Sequence, residues 1–454
     1  MTDGSVLWLR RDLRVRDHPA LQRAAHDGPL TALFVLDDAL RRPSGGPRLA
    51  FLYRALRSLA AEFEEHGGAL VVRRGKPENV VPAVVRETGA GVVHVSADYG
   101  PYGRGRDERV AAALPEGVEL VATGSPYAVP PDAVVKDDGS PFKVYSAFAR
   151  AWRRHGWDDP ARMQLGRVRW AEPVDSTGVP HDPHLDVDEL PEASERAALA
   201  AWKGFLDDGV ADYADRRNRP DQDGTSRMSV YLKYGLVHPR TLLADLEGLR
   251  GEGPETYRRE LIWREFYATV LYRWPESARE YFVPKMKMLH YATGADAARH
   301  LEAWKAGRTG YPIVDAGMRQ LLSAGWMHNR LRMITASFLT KDLHVEWTEG
   351  ARFFMQHLVD GDLASNNHGW QWVAGTGTDP SPFFRIFNPV TQGEKFDPDG
   401  EYVRRWVPEL RGIAGKKVHR PWELDEPPAD YPERIVDHGE ERVRALADYS
   451  RING

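Results

Sequence analysis

The sequence predicts an α/β domain with a Rossmann-like parallel sheet, followed by a larger all-α domain. Short apolar runs alternate with helical patterns from Val6 to Ala122, which is typical of a parallel sheet. After Glu192 strand signals become scarce, while helical patterns dominate as far as Leu358. The length of 454 residues fits two domains of roughly 100–200 residues each.

Five apolar runs are predicted to be the strands of the first domain, at residues 6–9, 30–36, 70–72, 92–96 and 118–122. Helices are predicted between them at 48–66, 77–86 and 107–114. In the first helix, leucines recur one turn apart, and Gly67 with Gly68 indicates its end. We place the end of this domain at residue 124. The crevice at the carboxyl ends of its strands is the default ligand site.

Residues 125–191 are rich in proline, glycine and aspartate, so we predict an interdomain connection with one helix at 145–154. Residues 192–454 are predicted to form the all-α domain. Its helices are predicted at 194–205, 226–234, 239–246, 254–272, 295–306, 313–324, 327–343 and 350–358.

The composition excludes several kinds of site. Without cysteine there are no disulfides, thiolate metal sites or iron–sulfur clusters, and we expect no metal. No apolar run approaches the ~20 residues of a membrane span, and the N-terminus lacks a signal-peptide layout. We therefore expect a cytoplasmic monomer without a membrane partner. The formal net charge of −5 does not indicate a nucleic-acid binder, but phosphate binding needs only a local basic face.

The stretch 360–372, DGDLASNNHGWQW, concentrates polar groups among aromatic ones. A polar group buried beside tryptophan costs roughly 2–7 kcal/mol unless it is paired. The stretch is therefore a solvated loop, a buried structural turn, or the wall of a site for a large, flat, polar ligand. The apolar run that precedes it favours the site. Its candidate residues are Asp360, Gly361, Asp362, Asn366, Asn367, Trp370 and Trp372.

Two further segments carry candidate functional groups. In 224–229, GTSRMS, Thr225 or Ser226 can cap the following helix, and a helix N-terminus beside arginines can also bind phosphate. In 258–274, Glu260 and Trp263 lie three residues apart and so share one helix face. A helix with apolar residues inside and charges outside is the alternative for the second segment, but it leaves a glutamate beside aromatics unexplained.

These segments, together with GWMHNRLRMITASFLTKDL from Gly325 and residues 381–410, resemble the photolyase and cryptochrome family. The resemblance is to class I cyclobutane pyrimidine dimer photolyases and runs over nearly the whole chain, so it is more specific than a short motif. It implies that the all-α domain binds FAD and that the protein repairs pyrimidine dimers in DNA. The implied FAD ligands are Tyr213, Arg217, Thr225, Ser226, Arg227, Met228, Ser229, Arg332, Asp360, Gly361, Asp362 and Asn366.

The resemblance also implies roles within that set. Tyr213, Arg217 and residues 225–229 hold the pyrophosphate and ribose, and Asn366 faces the flavin N5. Arg332 should pair with Asp360, because burial otherwise raises the pKa of a carboxyl group. His368 stands where the family usually has glycine, and no role is assigned to it.

The resemblance further implies that a dimer flipped out of the DNA stack is bound by the protein. Glu260 hydrogen-bonds the base edges, Trp263 stacks on the dimer, and Trp372 stacks from the opposite wall. The implied DNA contacts are Glu260, Trp263, Arg264, Tyr267, Asn329, Arg330, Met333, Trp372 and Gln392. A (6-4) photolyase, which needs a histidine pair in the pocket, and a cryptochrome photoreceptor, which usually has a long C-terminal extension, are the alternatives.

Members of the family pass electrons to the flavin along three tryptophans. Trp370 and Trp347 match the inner and middle members. The region that matches the outer member, residues 283–300, contains no tryptophan, and its redox-active aromatic is Tyr291. We therefore expect Tyr291 to be the terminal donor and to lose its proton to water, so that the catalytic set is Glu260, Asn366, Trp370, Trp347 and Tyr291. The alternative is that Tyr291 only packs on the surface and that the electron path ends at Trp347 or branches to another aromatic residue.

An antenna chromophore is implied for the first domain. Residues 97–114 contain a PYGR core that resembles deazaflavin-using photolyases, where folate-using relatives have an Asn-Glu pair. We expect 8-hydroxy-5-deazaflavin near Arg48, Asp98 and Arg104. Methenyltetrahydrofolate and an empty crevice are the alternatives.

Overall fold

The protein is described by a computed structural model that covers residues 4–379 and 384–453. Part of the segment from Ser381 that carried the resemblance thus lies outside the described residues. Packing divides the chain into two units, and the domain limits at 124 and 191 stay a prediction. Unit 1 comprises Met1–Leu185, Pro191–Val210 and Ser226–Pro275, and unit 2 comprises Asp186–Leu190, Ala211–Thr225 and Glu276–Gly454.

Unit 1 is built on a five-stranded parallel sheet in the order β3-β2-β1-β4-β5, so the predicted α/β class is confirmed. Strand β2 is buried along its whole length, as expected where helices cover both faces of a parallel sheet. The strands are β1 (Gly4–Leu9), β2 (Leu30–Leu36), β3 (Leu70–Arg74), β4 (Ala90–Val95) and β5 (Glu119–Ala122).

The helices of unit 1 include one that the sequence did not reveal, α1, which the ring of His18 caps by accepting from the backbone N–H of Leu21. Another, α5, begins at Pro101, six residues before its predicted start, because proline is favoured in the first turn. The helices are α1 (Pro19–Asp27), α2 (Asp38–Arg41), α3 (Gly46–Glu64), α4 (Pro77–Thr88), α5 (Pro101–Ala113), α6 (Tyr145–His155), α7 (Glu195–Asp208), α9 (Met228–Tyr234), α10 (Pro239–Leu246) and α11 (Glu252–Arg273).

In the described part of unit 2 the regular elements are helices, which confirms the all-α prediction. The segment predicted as one helix at 327–343 begins at Asn329 and passes into a π-helical turn, Phe338–Asp342. The helices are α8 (Tyr213–Arg216), α12 (Gly294–Lys305), α13 (Pro312–Ala324), α14 (Asn329–Ser337), α15 (Trp347–His357), α16 (Leu363–Ala374), α17 (Pro389–Phe396), α18 (Glu401–Trp406) and α19 (His438–Asn453).

The stretch 360–372 is mostly helix α16, so neither a solvated loop nor a structural turn, the two alternatives to the favoured ligand site, describes it. Its polar side chains find partners far away in sequence: the side-chain amide of Asn367 donates to the carbonyl of Ala278 and that of Gln371 to the carbonyl of Ser277. One local prediction is wrong. Neither Thr225 nor Ser226 is the N-cap of α9. That position is held by Arg227, in the left-handed region with φ 52°.

Among the described residues, no helix combines the length and apolar character needed to cross a membrane.

Candidate functional site

The turn between α15 and α16 in unit 2 carries a buried ion pair. Asp360 is 5% exposed, and Nη2 of Arg332 lies 2.8 and 3.1 Å from its two carboxylate oxygens. Nε of the same guanidinium donates to the carbonyl of Met327 at 2.8 Å, which fixes its orientation. The predicted pairing of Arg332 with Asp360 is confirmed. Removing Arg332 would take the nearest cation away from a buried carboxylate, which is costly.

Helix α16 starts at this turn and presents an oriented amide. Asp362 is its N-cap and accepts from the backbone N–H of Ser365 at 3.1 Å. One turn later, the side-chain nitrogen of Asn366 donates to the carbonyl of Ala351 at 3.1 Å and to Oδ1 of Asn367 at 2.8 Å. Because both amide protons are used, the carbonyl oxygen is the atom of Asn366 that can accept an N–H from a ligand.

Two arginines of unit 2 form an electropositive pair. Burial lowers the pKa of Arg330, and the charge of Arg217 lowers that pKa further. Nη2 of Arg330 donates to Oδ1 of Asn218 at 2.7 Å, and Arg217 lies 5.6 Å from the ring of Tyr213. An anion near this pair would relieve the repulsion between the two cations and accept charge-assisted hydrogen bonds. The arrangement fits the pyrophosphate of a dinucleotide.

The predicted phosphate-binding segment crosses from unit 2 into unit 1 after Thr225. In unit 1, the hydroxyl of Ser226 lies 2.8 Å from that of Tyr257 and also accepts from the backbone N–H of Met228. Arg227 and Ser229 are exposed. Their role in binding FAD stays a prediction.

Helix α11 of unit 1 carries Glu260, Trp263 and Tyr267, spaced so that they share one face. The ring of Trp263 is stacked on Tyr145 of α6, with centroids 3.7 Å apart and planes 2° from parallel. The hydroxyl of Tyr145 donates to the carbonyl of Arg259 at 3.0 Å. One face of the indole is thus covered by a fixed aromatic ring, and sequence reasoning missed Tyr145.

Arg264, on the same helix, is engaged within unit 1. Its guanidinium donates to the carbonyl of Pro126 at 3.1 and 3.2 Å and lies 4.7 Å from the ring of Tyr127. These bonds connect α11 to the segment that follows the sheet. Contact of Arg264 with DNA stays a prediction.

The remaining predicted DNA contacts lie on helices of unit 2. Asn329 is exposed in the first turn of α14, and Met333 follows four residues later on the same face, half-buried. Trp372 of α16 and Gln392 of α17 are also half-buried.

The predicted electron donors Trp370 and Trp347 are both buried in the core of unit 2, and Tyr291 packs against that core. Sequence reasoning missed Tyr281, whose hydroxyl lies 2.7 Å from that of Tyr291 and 2.8 Å from Oε1 of Glu346. Its ring also packs edge-on against Trp347, with centroids 6.2 Å apart. Tyr281 lies two residues before the region 283–300 that matches the outer tryptophan, so only its packing reveals it.

His368 is buried and bonded through both ring nitrogens. Nε2 lies 2.9 Å from the hydroxyl of Ser277, and Nδ1 lies 2.8 Å from the carbonyl of Ala364. Burial lowers its pKa from 6.5 to about 4, so the ring is neutral near pH 7. The structure therefore gives this residue a positioning role in α16.

The predicted antenna residues lie in unit 1. Burial would raise the pKa of Asp98, but Arg106, which is 3.1 Å away, and Arg10 reverse this effect and lower it. A Cβ built on Gly103 would lie 2.1 Å from the Asp98 carboxylate, which explains the glycine of the PYGR core. Arg104 is exposed, with its guanidinium 4.8 Å from the ring of Tyr272.

Arg48, the third of these residues, lies in α3. Burial lowers its pKa, and among the described residues its Nε has no hydrogen-bond partner. A buried donor of this kind favours an anionic or carbonyl-bearing ligand.

Comparisons with known proteins show the family of this chain. Two family models match the chain, DNA photolyase over residues 5–164 and the FAD binding domain of DNA photolyase over residues 257–451. The deoxyribodipyrimidine photo-lyase of Escherichia coli is 39% identical over 98% of this chain and 98% of its own length. A class III photolyase of Agrobacterium tumefaciens has 35% identity, covers 100% of this chain and 98% of its own, and has a TM-score of 0.92. A Synechocystis cryptochrome has 26% identity, 98% and 99% coverage, and a TM-score of 0.89.

Proposed function

This chain belongs to the DNA photolyase family, and we propose that it is a deoxyribodipyrimidine photo-lyase that repairs cyclobutane pyrimidine dimers in DNA with light. The observation that carries the proposal is the buried pair of Arg332 and Asp360 beside the oriented amide of Asn366. Polar groups held in fixed orientations by their own hydrogen bonds are suited to a flat heterocycle that needs hydrogen-bond partners at its edge.

The residues of unit 2 fit FAD in distinct ways. Arg217 would neutralise the pyrophosphate together with Arg330, which the resemblance placed among the DNA contacts instead. The carbonyl oxygen of Asn366 would accept from the ring system. The Arg332–Asp360 pair would hold one edge of that ring system without a net charge. Reduced FAD, when bound and excited by light, supplies the electron that opens the cyclobutane ring. The protein contributes orientation and the exclusion of water.

On α11, Glu260 and Trp263 are proposed to contact the flipped-out dimer. Trp263 offers an aromatic ring on which a base can stack, and Tyr145 holds that ring in place from its other face. Glu260 carries acceptor oxygens for the N–H groups on the base edges. Asn329, Met333 and Trp372 of unit 2 are proposed as further contacts with the lesion.

The test is repair of an oligonucleotide that contains one thymine dimer, under blue light and with fully reduced FAD. We expect the wild type to restore the two thymines and Trp263→Ala to bind the lesion about 5- to 150-fold more weakly, because one stacking platform is worth ~1–3 kcal/mol. Trp157→Ala is the matched control, since Trp157 is an exposed tryptophan of unit 1 that stacks on Trp152. Absence of repair by the wild type would favour a cryptochrome-type photoreceptor instead.

For the antenna we propose 8-hydroxy-5-deazaflavin, bound near Arg48 in unit 1. The support is the buried Nε of Arg48 and the close packing of Gly103 against Asp98. Reconstitution with the deazaflavin and with methenyltetrahydrofolate separates the alternatives. Uptake of the folate alone, or of neither chromophore, would contradict the proposal, and Arg48→Met should weaken uptake of the deazaflavin.

A further inference from the structure

A row of aromatic side chains leads away from Asn366 through unit 2. Trp370 follows Asn366 by one turn of α16, and its ring packs against α15 at Gly350, where a built Cβ would lie 2.1 Å from the ring atom Cη2. Trp347 precedes Gly350 by three residues and so lies on the same face of α15. Beyond Trp347 comes Tyr281, whose ring meets the indole at 83°. The row thus begins beside the proposed flavin ligand and ends at a phenol.

A positive charge on the Trp347 indole would be poorly stabilised. Its side chain is 1% exposed, and among the described residues its indole nitrogen has no hydrogen-bond partner. An indole that has lost an electron is a cation, and it can become neutral only by giving its N–H proton to an acceptor. Without an acceptor the charge stays in an apolar core, where it is poorly solvated. An electron from a neighbouring group would remove it.

Tyr281 has the proton acceptor that Trp347 lacks. Its hydroxyl has a single proton and two close oxygen atoms, Oε1 of Glu346 at 2.8 Å and the hydroxyl of Tyr291 at 2.7 Å. A carboxylate can only accept, so Tyr281 donates to Glu346 and accepts from Tyr291. Burial, together with the hydrogen bond that it donates to Glu346, raises the pKa of Tyr281 and keeps it a phenol until it is oxidised.

We propose that Tyr281 is the electron donor to oxidised Trp347 and that Glu346 takes its proton. The inference rests on the proposed function, since the oxidant is a light-excited oxidised flavin that has withdrawn one electron from Trp370. Trp347 then reduces Trp370, and Tyr281 reduces Trp347. The O–H bond of Tyr281 breaks as an O–H bond forms on Glu346, which leaves a neutral tyrosyl radical and a protonated carboxyl group.

This relay assigns Tyr291 a later role than the sequence predicted. Its hydroxyl hydrogen can pass to the radical on Tyr281 across 2.7 Å, which would restore Tyr281 and move the radical to a half-buried ring. Recombination of the transferred electron with this tyrosyl radical then requires the return of a proton as well. The relay therefore predicts a long-lived charge separation without a third tryptophan.

Transient absorption and electron paramagnetic resonance of the FAD-loaded protein, starting from oxidised flavin, test the relay. We expect Tyr281→Phe to lose the tyrosyl signal and the long-lived photoreduction, whereas Tyr291→Phe keeps both. Tyr402→Phe is the matched control, because Tyr402 is also buried and bonded through its hydroxyl, to Gln320 at 2.8 Å. A tyrosyl radical formed at wild-type yield in Tyr281→Phe would overturn the proposal.

A separate substitution tests the role of Glu346. Glu346→Gln keeps the size of the side chain but cannot take a proton, so we expect the tyrosyl radical to form more slowly and in lower yield. Formation at the wild-type rate would show that the proton goes elsewhere and would refute this role. Repair by chemically reduced protein should be unchanged in both Tyr281→Phe and Glu346→Gln. A protein that forms the radical but repairs no dimer would overturn the proposed function and leave the relay standing.

Discussion

Gly350 is the point at which the packing of Trp370 can be tested without touching a polar group. A Cβ at this position would lie 2.1 Å from Cη2 of Trp370 and 2.6 Å from Cδ2 of Leu339, so an ordinary contact of 3.4 Å requires the indole to retreat by about 1.3 Å. Overpacking of this kind costs ~1–3 kcal/mol. Replacing a helical glycine by alanine otherwise stabilises by ~1 kcal/mol.

The matched control is Gly204→Ala, since Gly204 lies within α7 and a Cβ there meets nothing within 4 Å. We expect Gly204→Ala to raise the free energy of unfolding slightly and Gly350→Ala to fall below it by roughly 1–3 kcal/mol, measured by denaturant unfolding. Flavin photoreduction should also slow in Gly350→Ala, because Trp370 moves. Equal stability of the two variants would refute the packing described for Trp370.

Three further outcomes follow from single contacts. Asp360→Asn should weaken FAD binding and destabilise the protein by roughly 1–3 kcal/mol, because the Arg332 guanidinium, whose side chain is 25% exposed, loses its carboxylate partner; retention of FAD at wild-type affinity would contradict the assignment. Tyr145→Ala should weaken lesion binding several-fold through the loss of an aromatic stack worth ~0.5–1.5 kcal/mol, whereas Tyr145→Phe, which keeps the ring, should bind as the wild type does. The third is an effect of pH on stability, because burial lowers the pKa of His368 from 6.5 to about 4. As the pH falls between these two values, the histidine is protonated in the unfolded chain but not in the folded one, so the free energy of unfolding decreases. The wild type should lose up to about 3 kcal/mol more than His368→Asn between those values, and parallel curves would refute this.

The parallel sheet could be predicted from the sequence because its signal is local. Strand β2 is an unbroken apolar run that matches the prediction at both ends, and burial on both faces is what such a run requires. The pairing of Arg332 with Asp360 was also predictable, since a carboxylate predicted to be buried needs a cation and the resemblance supplied one. Chain pattern and family resemblance together therefore gave the fold class and the centre of the proposed FAD site.

The helical state of α16 was not predictable in the same way. Its polar residues look like a loop in sequence, and they become compatible with a buried helix only through partners such as the carbonyls of Ser277 and Ala278. Hydrogen bonds between segments about ninety residues apart leave no periodic pattern in the chain.

Composition, apolar periodicity and the family resemblance by themselves predicted the order of the two domains, the helix α11 that carries Glu260 and Trp263, and the choice of Trp370 and Trp347 as electron donors. Only the tertiary structure decided which other side chains contact the residues of the proposed sites. It placed Tyr145 flat against Trp263, Tyr281 between Trp347 and Glu346, and His368 in a neutral, doubly bonded position. The reason is physical: stacking and proton transfer depend on separations of a few ångströms between residues that are distant in sequence, and these are fixed only when the helices pack.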